Sequence, residues 1–245
     1  MAVFSEPVAA IEETVCLTVA ADELRVPLHQ VGRYAGGTDY RLAERLEGLA
    51  SAALTHAKDL AQPRLAYAAH PVVAAEVGRG LELADGEWVW APTRVLASRP
   101  PLLVAAVCTL GEAIDQEAKV LTQGRSMTEG LFLDAAGVAL VEALGQHCRQ
   151  VLVQAAGLRG LYCGCPFGPG VGGMALSAGP QLFAHLTAQA IGVSCNPRGG
   201  MRPLKSTAIW VPWTDHAPRP GDEAYKCQRC DLPTCQYRLT PYLPA

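Results

Sequence analysis

The sequence predicts a mixed fold of α-helices and β-strands, because segments of both periodicities follow one another along its 245 residues. Apolar residues recur at helical spacing over 42–60, on a face flanked by charged side chains. The segment 102–109 is instead an uninterrupted apolar run, which is typical of a buried strand. Half of the residues are hydrophobic and 18% are charged, so the chain has ample material for a core.

The other elements are predicted from shorter patterns. β-Branched residues indicate further strands, and apolar segments rich in Ala and Leu indicate further helices. We expect strands at 15–19, 64–67, 89–90 and 205–211, helices at 113–121, 131–155 and 181–191, and a linker from 212 to 221.

The predicted helix 131–155 is apolar nearly all round, which indicates that it is buried. Its two acids, Asp134 and Glu142, therefore need partners or must face an edge. They fall on roughly the same face about 12 Å apart, which is too far for two carboxylates acting on one bond. A structural or partner-binding role is the better prediction for both.

Composition excludes several classes of function. The net charge is −3 and the basic residues are scattered, which argues against nucleic-acid binding. No apolar run approaches the roughly 20 residues of a membrane span, and the N-terminus lacks the pattern of a signal peptide. We therefore expect a cytoplasmic protein. No catalytic triad or His-Glu-x-x-His pattern is visible, so the catalytic residues are unknown, and self-association as a homo-oligomer is left open.

Three cysteines near the C-terminus have the spacing of a metal site. Cys227, Cys230 and Cys235 form a C-x2-C-x4-C motif, which suits a thiophilic metal or a cluster. No cysteine follows them, so a fourth protein ligand must come from upstream. Cys163 or Cys165, in a Cys-Gly-Cys-Pro turn, is the first choice.

Two interpretations of this site stay open. One is an iron–sulfur cluster, most simply 4Fe-4S, and the other is a structural zinc ion with His216 or another cysteine as the fourth ligand. Cys195 is a further candidate ligand, although a free cysteine is as often a small buried hydrophobe. We divide the chain accordingly into an α+β domain, 1–215, and a cysteine-rich metal- or cluster-binding tail, 216–245.

A glycine-rich segment, 168–173, is the second candidate site. Bare backbone amides can approach a ligand's polar groups there, and we expect Lys205 to shape the same pocket. The segment lacks the Lys-Ser/Thr ending of a phosphate loop, which argues against nucleoside triphosphates. The alternative is a merely flexible turn. The predicted cofactor-binding residues are Gly168, Pro169, Gly170, Gly172, Gly173 and Lys205.

Several motifs, in this order, resemble the standalone relatives of the cobalamin-dependent methionine synthase activation domain. They include VGRYAG at 31–36, LDAAGVALVEA at 133–143, GPG at 168–170 and MRPLKS at 201–206. The resemblance implies an α+β fold with a bent antiparallel sheet flanked by helices. It also implies a role in reactivating a corrinoid methyltransferase, in which inert cob(II)alamin is reduced and then methylated from S-adenosylmethionine.

Two details qualify this resemblance. The family's adenosylmethionine site has a Pro-Gly-Tyr turn after an arginine, but here Val171 follows the Pro-Gly, which makes S-adenosylmethionine a doubtful ligand. The segment 227–235 resembles the cluster-binding segment of the large subunit of corrinoid iron–sulfur proteins. We therefore expect an iron–sulfur protein that passes an electron to the cobalt of a corrinoid protein. One alternative is a non-catalytic binding module in which zinc or a cluster only stabilises the C-terminal tail. Another is an adenosylmethionine-binding reactivation domain.

Overall fold

A seven-stranded antiparallel sheet lies at the centre of the computed structural model, which describes residues 11–37, 41–124, 126–171 and 173–218. A separate two-stranded hairpin lies between the last two strands of this sheet in the sequence. The strands are β1 Ile11–Thr18, β2 Arg64–Glu76, β3 Gly80–Leu83, β4 Trp88–Val89, β5 Leu102–Thr109, β6 Tyr162–Cys163, β7 Ser194–Cys195, β8 Met201–Arg202 and β9 Ser206–Thr214.

The large sheet has the order β4-β3-β2-β5-β9-β6, with β1 paired to β2, and β7 pairs with β8. Strand β2 is 13 residues long and takes part in two portions of the sheet. Its first part pairs with β1 and β5, and its end pairs with β3 after a shift of register between Val72 and Ala74. An irregularity of this kind bends a strand locally, and here it lies where β2 passes from its pairing with β5 to its pairing with β3.

Six α-helices accompany the sheet within the described residues. The longest, of 31 residues, packs against three other helices and the sheet, which explains why it is apolar nearly all round. The helices are α1 Leu28–Gly36, α2 Glu44–Leu60, α3 Thr93–Ser98, α4 Ala113–Gln123, α5 Met127–Gly157 and α6 Gly179–Ala184. None of the helices in the described ranges is long and apolar enough to cross a bilayer.

Strand β5 separates two hydrophobic cores. Leu102, Val104 and Ala106 face the core shared with α1, α2, α4 and α5, whereas Leu103 and Ala105 face a second core that contains Trp210 and Phe167. Because successive strand residues point to opposite faces, a strand covered on both sides is apolar throughout. The predictions of a buried strand at 102–109 and of an α+β fold with an antiparallel sheet flanked by helices are confirmed.

Two predicted elements differ from the structure at the C-terminal side. The predicted helix 181–191 is broken, because α6 ends at Ala184 and the chain resumes only as a 3-10 turn, Ala188–Ile191. His185 leaves the helical path and places its ring between the carboxylates of Asp85 and Glu87. The predicted linker from 212 was wrong at its start, since β9 continues to Thr214. Pro212 is accommodated there, with its carbonyl accepting a hydrogen bond from the Gly164 N–H.

Candidate functional site

A cleft of about 680 Å³ runs along helix α4, and we name it the α4 cleft. One wall is a single face of this helix, because positions three and four apart in an α-helix lie on the same side. The opposite wall is the segment that joins β8 to β9, and α5 contributes one acid. The polar and charged lining residues are Glu112, Asp115, Gln116, Lys119, Thr122, Gln123, Asp134 and Arg202, with Ala118, Pro203 and Leu204 beside them.

The buried ammonium of Lys205 joins two acids that line the α4 cleft. Its Nζ lies 2.6 Å from Asp134 Oδ1 and 3.1 Å from Asp115 Oδ1. The Lys205 side chain is only 7% exposed, and that of Asp115 is 15% exposed, whereas that of Asp134 is 54% exposed. The Leu204 N–H also donates to Asp115 Oδ2, at 2.9 Å. Asp115 is therefore largely shielded from solvent at the cleft wall, and Asp134 is held in a fixed direction while still reaching solvent.

Gly137 on α5 makes room for this ion-pair cluster. A Cβ at this position would lie 2.8 Å from Lys205 Cε and 2.8 Å from Ile114 Cγ2, closer than side chains ordinarily pack. The Lys205 side chain thus passes over the helix where a glycine leaves its surface bare. Glycine is normally disfavoured inside a helix, and this lack of space explains why one occurs at position 137 of α5.

Charges of both signs surround the α4 cleft. Glu112, Asp115 and Asp134 supply carboxylates, while Lys119 and Arg202 supply exposed cations. A concave site with a few charged groups and apolar surface between them suits a small ligand that itself carries both signs of charge. Sequence reasoning missed this arrangement. The acids and the lysine at 112, 115 and 119, spaced to share one helix face, were the available signal.

Glu142, the other acid predicted to need a partner on α5, has a different one. Tyr34 donates a hydrogen bond from its hydroxyl to Glu142 Oε2 at 2.6 Å. Burial, and then the hydrogen bond and charge of this carboxylate, raise the pKa of Tyr34 well above its usual range. The prediction that Asp134 and Glu142 have partners or face an edge agrees with these contacts, because Asp134 pairs with Lys205 and Glu142 accepts from Tyr34.

The glycine-rich segment forms a turn packed against β9. Phe167 pairs with Trp210, and a Cβ at Gly168 would lie 3.0 Å from the carbonyl oxygen of Ala208. Gly170 and Gly173 have positive φ values, 78° and 88°, which favour glycine. Pro169 lies within the same turn, and Gly172 lies outside the described residues.

Lys205 was predicted to join the glycine-rich turn, but its ion pairs are with residues of α4 and α5. The turn contacts strand β9 at Ala208, which follows Lys205 by three residues. The two positions are therefore roughly 10 Å apart along the extended chain. Lys205 therefore lies behind the α4 cleft, paired with two of the acids that line it. A ligand role for the turn stays a prediction.

The two cysteines proposed as upstream metal ligands are both buried. Cys163 lies in β6 opposite Trp213, and the Cys165 Sγ lies 3.8 Å from the Pro166 carbonyl oxygen. Burial raises the pKa of the Cys163 thiol to about 11. A metal binds the deprotonated thiolate. Because the pKa of Cys163 is raised, binding a metal there would first require the removal of a tightly held proton.

The predicted metal site is largely beyond what the structure describes. Cys227, Cys230 and Cys235 lie outside the described residues, as does the predicted tail apart from 216–218. Within the described ranges, no group of three or more His, Cys, Asp or Glu residues is arranged to hold a metal ion. Ligation by the three C-terminal cysteines with Cys163 or Cys165 stays a prediction.

We expect Cys163 to resist alkylation in the folded chain. At pH 8 a thiol of pKa about 11 has roughly a hundred-fold smaller thiolate fraction than an ordinary cysteine, and its burial slows the reaction further. In the presence of a chelator, iodoacetamide should label exposed Cys16 in preference to Cys163, as measured by peptide mass spectrometry. Unfolding in guanidinium should equalise the two. Equal labelling rates in the folded chain would contradict the burial argument.

Comparisons with known proteins identify the fold through structure alone. No protein-family model matches the chain, and no curated protein matches it. The chain is similar to a crystal structure of the MetH reactivation domain bound to AdoHcy (S-adenosylhomocysteine). The TM-score is 0.56 and the sequence identity 15%, and the match covers 87% of this chain and 81% of that one.

This similarity corrects the cofactor prediction. We expected an iron–sulfur cluster or zinc and took S-adenosylmethionine as doubtful because Val171 replaces an aromatic residue. The neighbour with the same fold was solved with AdoHcy, an S-adenosylmethionine analogue, whereas no metal-holding group lies among the described residues. The loss of one aromatic is therefore no sufficient reason to set adenosyl ligands aside. The described part of this chain has the fold of the MetH reactivation domain.

Proposed function

We propose that this chain binds an adenosyl ligand of the S-adenosylmethionine class in the α4 cleft and serves the reactivation of a corrinoid protein. Three observations support the proposal. The fold is that of a domain solved with AdoHcy. The ordered sequence motifs resemble the activation-domain family. The α4 cleft, at about 680 Å³, is of the size that holds small ligands.

The observation that carries the proposal is the carboxylate of Asp134, half exposed and fixed by buried Lys205. S-adenosylmethionine carries a sulfonium, an ammonium and a carboxylate, and its ribose presents two hydroxyls. A carboxylate already held in place accepts hydrogen bonds from such hydroxyls, or pairs with a cation, without a further cost of ordering. Asp134 supplies this fixed acceptor within the α4 cleft.

The partner supplies the corrinoid in this scheme. Methyl transfer would break the methyl–sulfur bond of S-adenosylmethionine and form a cobalt–methyl bond on the partner's corrinoid, after a separate electron donor has reduced the cobalt. It would leave S-adenosylhomocysteine, so a domain that binds the methyl donor is expected to bind that product as well. The corrinoid partner follows from the sequence resemblance, and the fold is compatible with it. Electron transfer by a cluster is not part of this proposal, because the three C-terminal cysteines predicted to hold one lie outside the described residues.

Calorimetric titration of the full chain with S-adenosylhomocysteine and with S-adenosylmethionine tests this role. We expect saturable binding of both, and we expect Asp134→Asn to weaken it about 5- to 10-fold, because the variant loses a charge-assisted hydrogen bond. Glu129→Gln is the matched control, since Glu129 lies on the same helix, is exposed and does not line the cleft. Its affinity should equal that of the wild type.

Two results would overturn the proposal. Absence of binding by the wild-type chain would remove the adenosyl ligand altogether. Unchanged binding by Asp134→Asn, together with weakened binding by Pro169→Ala, would move the ligand from the α4 cleft to the glycine-rich turn.

A further inference from the structure

A smaller chamber of about 290 Å³ borders the α4 cleft, and Glu112 and Pro203 line both cavities. We name it the Arg64 chamber, after the cation in its wall. The remaining lining comes from the end of α2, the turn between β5 and α4, and Gly192. These residues are Leu60, Gln62, Leu110, Gly111 and Ala113.

The guanidinium of Arg64 is not neutralised by the described part of the protein. Its Nε is shielded from solvent and has no hydrogen-bond partner. No carboxylate within the described ranges forms an ion pair with it. A partly buried cation of this kind favours an anion in front of it, because the shielded charge is weakly screened by water.

Two glycines keep the face of this guanidinium uncovered. A Cβ at Gly111 would lie 3.9 Å from Arg64 Nη2, and a Cβ at Gly192 would lie 3.7 Å from both of its terminal nitrogens. Both glycines have positive φ values, 81° and 75°, so the backbone itself favours a residue without a side chain. The space beside the arginine is therefore left to a ligand or solvent.

The other cations near the α4 cleft are less suited to hold an anion. Lys205 is already committed to Asp115 and Asp134. Lys119 and Arg202 are exposed, so water screens their charges. Among these four cations, Arg64 alone combines a partly buried guanidinium, whose Nε is shielded from solvent, with a planar fork that matches a carboxylate in two hydrogen bonds.

We propose that Arg64 binds the carboxylate of the ligand's amino-acid tail, so that the site selects adenosyl amino acids over neutral adenosyl thioethers. This inference rests on the proposed function. Glu112, at the border of the two cavities, is placed to accept the neighbouring ammonium. Its Oε2 accepts from Gln116 Nε2 at 3.0 Å, and a carboxylate retains further acceptor positions. The amino-acid tail of the ligand then lies beside Glu112, and the nucleoside of the ligand lies in the α4 cleft.

Titration with two ligands that differ in the tail tests the inference. S-adenosylhomocysteine carries the amino acid, whereas 5′-methylthioadenosine has the same nucleoside and sulfur without it. We expect the wild-type chain to prefer the first by at least about 10-fold, and Arg64→Gln to abolish this preference by weakening only S-adenosylhomocysteine. Arg45→Gln, an exposed arginine on α2, is the matched control and should keep it.

The outcomes separate this inference from the proposed function. If neither ligand binds the wild-type chain, the proposed function itself fails. If both bind and Arg64→Gln leaves their ratio unchanged, the adenosyl site stands and the role of Arg64 is wrong. Should Arg64→Gln not fold, as judged by its thermal unfolding, Arg64→Lys replaces it. This variant keeps the charge but loses the two-bond geometry, and a preference reduced to between 2- and 5-fold is expected, whereas a full wild-type preference would count against Arg64.

Discussion

Lys205→Met is expected to lower the free energy of unfolding by about 3 kcal/mol, the lower end of the range for a buried pair, because it leaves a largely shielded acid without its counter-charge. Asp115 is the sensitive partner, since its side chain is only 15% exposed and its Oδ1 lies 3.1 Å from the ammonium. Asp134, at 54% exposure, can be hydrated when the lysine is gone and contributes less. The loss should be visible as a lower midpoint of urea unfolding.

Two further variants separate charge from packing. Lys119→Met removes an exposed lysine from the same cleft and should change the unfolding free energy by no more than about 0.5 kcal/mol. Adding Asp115→Asn to Lys205→Met should recover about 1–2 kcal/mol, because the unpaired buried charge is then removed. A loss below about 1 kcal/mol for Lys205→Met alone would show that the cluster does not stabilise the fold.

Periodicity was sufficient to predict the parts of the fold that are uniform along the chain. In β5 and α2, the pattern of apolar residues along the sequence matches the pattern of burial in the fold. Helix α1 was missed, because its nine residues hold two glycines and its burial comes from α5, far along the sequence. The break after α6 was missed for the same reason, since the carboxylates that flank His185 lie on the distant β3–β4 turn.

The candidate site shows the same limit more clearly. Lys205 was identified as a site residue, but its partners lie on α4 and α5, and nothing in the local sequence pairs 205 with 115 or 134. Position 64 was predicted only as the start of a strand, 64–67, and not as a site residue. Its significance depends on two glycines, at 111 and 192, that the fold brings beside it. Pairings of this kind between distant residues are set by topology, which single-sequence patterns do not encode.

Gly199→Ala is expected to cost about 3 kcal/mol, since it combines an unfavourable backbone angle with a clash against main chain. Gly199 has a φ of 86° in the β7–β8 turn, where the Asn196 side chain accepts the N–H groups of Arg198 and Gly200. An added Cβ would overlap the carbonyl oxygen of Leu176, which a flexible side chain cannot relieve. The left-handed angle costs roughly 1–2 kcal/mol, and the overlap adds about as much again.

Gly78→Ala is the control that isolates the clash. Gly78 has nearly the same φ, 87°, but no atom lies within 4 Å of its added Cβ, so only the backbone cost of about 1–2 kcal/mol should appear in urea unfolding. The turn at Gly199 leads through β8 into Arg202 and Pro203, which line the α4 cleft. Gly199→Ala should therefore also weaken S-adenosylhomocysteine binding, whereas Gly78→Ala should leave it intact. Equal stability losses for the two variants would mean that the hairpin shifts freely away from Leu176, and it would then give the cleft wall no firm support.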